Sequence, residues 1–213
     1  MYLLSDKLIF PPVELADDDG VLALGGDLSP DRLILAYKSG IFPWYNEGEP
    51  IIWYSPNPRM ILIPKHLKIS KSMQQIIRKE KFTVTFNQNF SEVIENCKSI
   101  KRLDQNGTWI TSEMQKAYKK LNKLGFAKSV EVWQDQKLVG GLYGIDLGSI
   151  FCGESMFSKM ANASKIAFIY LTKKLEKENY SLIDCQVYNA HLESLGAKEI
   201  PRNEFIKMLY VVS

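Results

Sequence analysis

Six of the nine prolines fall between Pro30 and Pro64, and only Pro201 lies beyond them. Proline fixes φ and lacks an N–H, so it is excluded from helix interiors and central strands. The first part of the chain can therefore hold only short elements, while the rest is free to form long ones. Turn residues at Pro11-Pro12, Asp17-Asp18-Asp19-Gly20 and Gly25-Gly26-Asp27 reinforce this. The expectation is a small irregular N-terminal domain over residues 1–64 and a larger domain over 65–213. A chain of 213 residues suits one large domain with a smaller attachment. The first part carries one clear helix signal: Ser29 as N-cap, Pro30 at N1, Leu33 and Tyr37 as an i,i+4 pair, and Gly40 as the stop.

After Pro64 the patterning alternates between helical and strand periods. Ser70 or Ser72 opens a helix with Met73, Ile76 and Ile77 on one face, and Phe82 to Phe86 alternates as a strand. Phe90, Val93, Ile94 and Cys97 mark an amphipathic helix. Thr111 or Ser112 opens the next, with Met114, Ala117, Tyr118, Leu121 and Leu124 inward and Gly125 ending it. Three antiparallel strands follow over Ser129–Gln134, Lys137–Gly148 and Ile150–Phe157, then a helix over Ala163–Lys177. A strand over Tyr180–Val187, a short helix from Ala190, a strand over Ala197–Ile200 and a helix over Arg202–Leu209 complete the chain. The fold class is α+β (mixed α/β), with helices on both faces of the sheet.

Three cysteines, none in a C-x-x-C pair, and two histidines argue against a disulfide framework and a zinc site. A reducing compartment is the natural setting. No apolar run approaches the 18 or so residues of a membrane span, and the N-terminus lacks a secretory signal pattern. Phosphate-binding glycine motifs are missing as well, so neither a metal nor a nucleotide cofactor is expected.

Charge is unevenly distributed. Residues 1–64 hold 4 basic and 9 acidic residues, residues 65–128 hold 14 and 5, and residues 129–213 hold 9 and 10, giving −5, +9 and −1. A basic middle between acidic flanks suits a polyanion docked on one region, although solvated helix faces read the same way. Lys71, Arg78, Lys79 and Lys81 belong to this stretch, and so does Trp109, just after the basic Lys98–Arg102 segment. Trp44 lies in an earlier aromatic cluster. Tryptophan near lysine suits a stacked base with phosphates alongside, and it equally suits core packing.

The strand around Leu182-Ile183-Asp184-Cys185-Gln186 carries a carboxylate and an amide two positions apart, hence on one face of the sheet, with Cys185 on the other. Interior polar groups are costly unless paired or used. Glu154 lies between apolar residues beside Gly153 in the strand before. Nearby buried carboxyls can bind cations or move protons. Cys152 and Cys185 fit core positions better than nucleophiles. Taken by themselves, these residues define a nucleic-acid-contacting α/β protein with a carboxylate–amide site, and no named reaction.

Taken together, several blocks resemble the leucyl/phenylalanyl-tRNA–protein transferase family. They include Val21–Pro30, Gly40-Ile41-Phe42-Pro43-Trp44, Trp53-Tyr54-Ser55-Pro56-Asn57-Pro58-Arg59, Gly107-Thr108-Trp109-Ile110, Ser129-Val130-Glu131-Val132-Trp133, Val139–Gly144, Phe151–Ser158, Leu182–Gln186 and Ser194–Ala197. They run in order over nearly the whole chain.

The resemblance implies a cytoplasmic enzyme, usually a monomer, with an acyl-CoA N-acyltransferase (GNAT) fold in its large domain and no metal or CoA. It would move leucine or phenylalanine, with methionine a further candidate, from Leu-tRNA or Phe-tRNA to proteins beginning with Arg or Lys, marking them for the bacterial N-degron route. By motif position Asp184, Gln186 and Glu154 form the active site, and Leu142, Phe151, Met156 and Ile183 the aminoacyl pocket. Trp44 and Trp109 flank the terminal adenosine, and Lys71, Arg78, Lys79 and Lys81 hold acceptor-stem phosphates. The GNAT pyrophosphate loop has no match at Ser158-Lys159-Met160-Ala161-Asn162-Ala163, which suits a donor other than acyl-CoA. Departures from the family pattern are Gln74 and Gln75 at positions more often basic, and Asn57 at a position more often Asp. The competing readings are a GNAT-type acetyltransferase and a non-catalytic tRNA-binding module.

Overall fold

A computed structural model describes residues 2–100 and 110–211. Eleven strands form two sheets among these residues. The smaller sheet joins β1 (Tyr2–Leu4), β2 (Val21–Gly25), β4 (Ile52–Tyr54) and β3 (Phe42–Pro43) in that order. Helix α1 (Pro30–Lys38) is inserted between β2 and β3. The proline-rich first segment is thus more regular than its sequence suggests. Its strands are two to five residues long and pair over long distances, Tyr2 with Ala23 and Ala23 with Trp53, so no local periodicity marks them. Pro43 sits in β3, on the edge of its sheet, where a missing N–H is tolerated.

The larger sheet has the order β11-β5-β10-β9-β8-β7-β6. Its strands are β5 (Arg59–Leu62), β6 (Thr83–Phe86), β7 (Ala127–Gln134), β8 (Lys137–Asp146), β9 (Ile150–Ser158), β10 (Leu182–Gln186) and β11 (Lys198–Ile200). The chain enters this sheet at Arg59, ahead of the boundary at Pro64 that composition suggests, because β5 pairs antiparallel with both β10 and β11.

Strand alternation sorts the core into two layers. Tyr143, Cys152 and Leu182 face one side, together with α3 (Phe90–Ser99), α4 (Ser112–Lys123), α7 (Arg202–Val211) and the small sheet. Leu142, Phe151 and Ile183 face the other, against α2 (Lys71–Arg78), α5 (Ala163–Lys177) and α6 (Ala190–Glu193). Ser29, Ser70 and Thr111 cap α1, α2 and α4 by accepting backbone N–H bonds from Arg32, Met73 and Met114. Leu124, expected inward, is 54 % exposed: α4 ends at Lys123, and its C-cap lies past the buried stripe.

All neighbouring strands of the large sheet are antiparallel except β9 and β10. That parallel pair registers from Leu182 with Ile150 to Asp184 with Cys152. Beyond it β9 follows β8 to Ser158, while β10 bulges between Asp184 and Gln186. The two strands part there, and the cleft described below opens between them.

Helix α5 lies close on β8 at Gly140, where an added Cβ would come 2.4 Å from the Ala163 Cβ. Gly140→Ala is therefore expected to lift the start of α5 and lower stability by about 1–3 kcal/mol, measured by urea unfolding. An unchanged midpoint would contradict this close approach.

Candidate active site

Where β9 and β10 part there is a cavity of about 470 Å³. Its polar wall holds Glu154 from β9 and Asp184 and Gln186 from β10. Its apolar end holds Leu142, Phe151, Met156 and Ile183, joined by Phe168 and Leu171 of α5. Phe42 and Pro43 of β3 and the adjoining Trp44 line it as well. The three polar and four apolar residues that the family resemblance implies for the site thus line one cavity.

Asp184 is 1 % exposed and forms a bidentate ion pair with the equally buried Arg59, with Nε–Oδ1 at 2.8 Å and Nη2–Oδ2 at 2.6 Å. The Arg59 guanidinium lies over the rings of Phe42 and Phe205, at 4.8 and 4.6 Å from their centroids. The Gln186 N–H donates to Asp184 Oδ1 at 2.9 Å. Both Asp184 oxygens are therefore engaged, and its charge is matched.

That backbone bond holds Gln186 at φ 66°, a left-handed conformation uncommon for residues other than glycine. From there the Gln186 Nε2 reaches Glu154 Oε1 at 2.7 Å. Cys185 also lines the cavity, packed in the layer of Ile183 and opposite Leu182, as the alternation along the strand places it. Burial pushes the thiols of Cys185 and Cys152 up, with Asp184 adding, so neither supplies a ready thiolate.

Among the described residues, Glu154 has no cationic partner. Its Oε2 accepts from the Tyr118 hydroxyl at 2.8 Å, and Tyr118 makes a short hydroxyl–hydroxyl bond with Tyr37 of α1. Burial pushes the Glu154 carboxyl up to about 8 despite opposing hydrogen bonds from Tyr118, Tyr37 and Gln186, and Asp184 adds to the rise. Burial likewise raises both tyrosines well above their ordinary range, with the charge of Glu154 contributing.

Trp44 is half-buried at the lip of the cavity, 5.8 Å from the Tyr54 ring. Lys71, Arg78, Lys79 and Lys81 are all exposed along and just after α2. Trp109 lies outside the described residues. Among those residues, no cluster of three or more His, Cys, Asp or Glu could hold a metal.

Residue-by-residue reading missed Arg59, Tyr37, Tyr118, Phe168 and Leu171 as parts of the site. Only Arg59 left a signal: a lone cation leading directly into the apolar run Met60-Ile61-Leu62, where burial demands a partner.

An α/β sheet parted at its one parallel pair, with a polar wall facing an apolar pocket, has the layout of an enzyme that receives an amphipathic substrate. Comparison with known proteins gives the class. The model described as "Leucyl/phenylalanyl-tRNA protein transferase" matches residues 61–210, and that of the corresponding N-terminal domain matches 26–57.

The chain is 66% identical over 209 residues to the leucyl/phenylalanyl-tRNA–protein transferase of Flavobacterium johnsoniae, covering 98% of this chain and 99% of the relative. It is 59% identical over 211 residues to that of Christiangramia forsetii, covering 98% and 100%. A solved GCN5-related N-acetyltransferase from Kribbella flavida is similar at TM-score 0.39 and 10% identity, covering 81% of this chain and 61% of that one. The chain belongs to the leucyl/phenylalanyl-tRNA protein transferase family, and it is an aminoacyltransferase.

The raised Glu154 carboxyl has a consequence for stability. The unfolded carboxyl titrates near 4.5 and the folded one near 8. Between those values the folded state holds a proton that the unfolded state has released, so stability falls as pH rises through this window. Wild type is expected to lose a few kcal/mol more than Glu154→Gln, in order of magnitude, between pH 5 and 8. Urea midpoints at both pH values read this directly, and parallel losses in the two proteins would contradict it.

Proposed function

We propose that the protein transfers leucine or phenylalanine from its charged tRNA to the α-amine of proteins beginning with Arg or Lys, marking them for the N-degron route. The observation that carries this reading is the single cavity in which the Glu154–Gln186 pair faces an apolar pocket. Family membership supports the donor and the type of reaction.

The reaction turns an ester into an amide, so it runs downhill and chiefly needs its partners positioned. An α-amine has a pKa near 8, so a free nucleophile is within easy reach. Gln186 donates its Nε2 to Glu154, which leaves its Oε1 to accept an N–H from the attacking amine. Asp184, already bound to Arg59, acts here as the anchor that orients Gln186. With its carboxyl pushed up to about 8, Glu154 favours its protonated form near neutral pH before an acceptor arrives. An arriving ammonium or guanidinium pulls it back toward carboxylate, which favours a basic acceptor.

The aminoacyl side chain enters between Leu142, Phe151, Met156 and Ile183, and the flexible Met156 suits branched and aromatic chains alike. Trp44 and Trp109 flank the terminal adenosine, and Lys71, Arg78, Lys79 and Lys81 hold stem phosphates. Binding then weakens with salt, by a slope of roughly 0.7–0.9 per phosphate contact. The enzyme works as a monomer in the cytoplasm, where its charged tRNAs are found.

One assay tests this. Labelled Phe-tRNA, labelled acetyl-CoA and peptides beginning with Arg or Glu are mixed with the protein. Label is expected to pass from tRNA to the Arg peptide and not to the Glu peptide. Label from CoA would show an acetyltransferase instead, and tight RNA binding with no transfer would show a binding module. Equal labelling of the Glu peptide would contradict the basic-acceptor requirement.

A further inference from the structure

A second cavity, of about 290 Å³, lies in the same layer between the sheet and α5. Its apolar wall includes Phe86, Val130 and Leu175, and Lys128, Asp146 and Glu178 form part of its polar lining. Two of its lining residues, Phe151 and Leu171, also line the active-site cavity. The two spaces are therefore neighbours across a partition formed by one ring and one leucine.

The sheet explains why the partition stands there. Leu142, Gly144 and Asp146 alternate onto one face of β8. Leu142 lines the active-site cavity, and Asp146 lines the second. Between them, an added Cβ on Gly144 would come 2.5 Å from the Phe151 ring, so that ring lies directly across the glycine. Leu171 reaches the same partition from α5. Phe151 is only 2 % exposed, and strand pairing on both sides holds its backbone, so its ring stands packed between the two cavities.

We propose that Phe151 and Leu171 set the upper size limit of the transferred side chain, and that the second cavity is a latent extension of the aminoacyl pocket, wide enough for a bicyclic side chain once the wall is lowered. This rests on the aminoacyl-transfer reading above and deepens it: the wall is the specificity element that separates monocyclic from bicyclic aromatic substrates. Phenylalanine ends at the wall, and the indole of tryptophan meets it.

The test uses one tRNA body carrying either phenylalanine or tryptophan, an Arg-starting peptide, and the full chain. Wild type, Phe151→Ala, Phe151→Leu and Leu171→Ala are compared by the ratio of Trp to Phe transfer rates, each variant first checked for folding by circular dichroism. The ratio is expected to rise about tenfold or more in Phe151→Ala, and less in Phe151→Leu. Leu171→Ala opens the same wall from the helix and is expected to raise it too. Adding Leu175→Phe, which fills the second cavity, is expected to cancel the gain while the single Leu175→Phe variant keeps wild-type Phe transfer. A ratio that stays at the wild-type value in whichever wall variants remain folded overturns the proposal. A gain that survives filling the second cavity also overturns it. Wild-type protein that transfers neither amino acid contradicts the transferase reading itself, so the two failures are distinguishable.

Discussion

The buried ion pair between Arg59 and Asp184 is the interaction on which the site depends. It ties β5 to β10 and, through the rings over the guanidinium, to β3 and α7. Withdrawing two charges from water is costly, and the bidentate geometry repays that cost only while both partners remain. Removing one would leave the other uncompensated, typically a loss of about 3–5 kcal/mol. The same carboxylate receives the Gln186 N–H and so fixes a left-handed residue at the point where β9 and β10 part. The amide of Gln186 reaches Glu154 because its backbone is held this way.

The two acids of the cleft consequently behave differently, although they lie on adjacent strands. Asp184 faces a matched cation. Glu154 faces an amide and a tyrosine hydroxyl, and burial keeps its proton on up to about pH 8. A carboxylate locked to a guanidinium and one held by neutral donors are different tools. In the proposed mechanism the first supplies geometry, and the second senses the charge of the arriving acceptor.

Much of this was legible in the sequence wherever the signal was local. The caps at Ser29, Ser70 and Thr111 and the alternation through β8 each depend on residues within a turn or two of one another. The small sheet was not legible, because its short strands find partners far along the chain. Nor was the bulge at Gln186: a glycine or asparagine would have flagged a positive φ, whereas glutamine does not. The family resemblance assembled distant blocks into one site, while the partners inside it, Arg59, Tyr37 and Tyr118, emerged only from the packing.

In the proposed mechanism Asp184 orients the site and does not take the proton from the acceptor amine. The most direct measurement is the single-turnover rate of phenylalanine transfer against pH for Asp184→Asn, in protein shown to be folded. Asparagine keeps an oxygen able to accept the Gln186 N–H. A rate within about tenfold of wild type and a pH profile of unchanged shape are expected. A general base contributes roughly 10²–10⁴-fold, so a loss of that size, with the pH-dependent limb abolished, would contradict it.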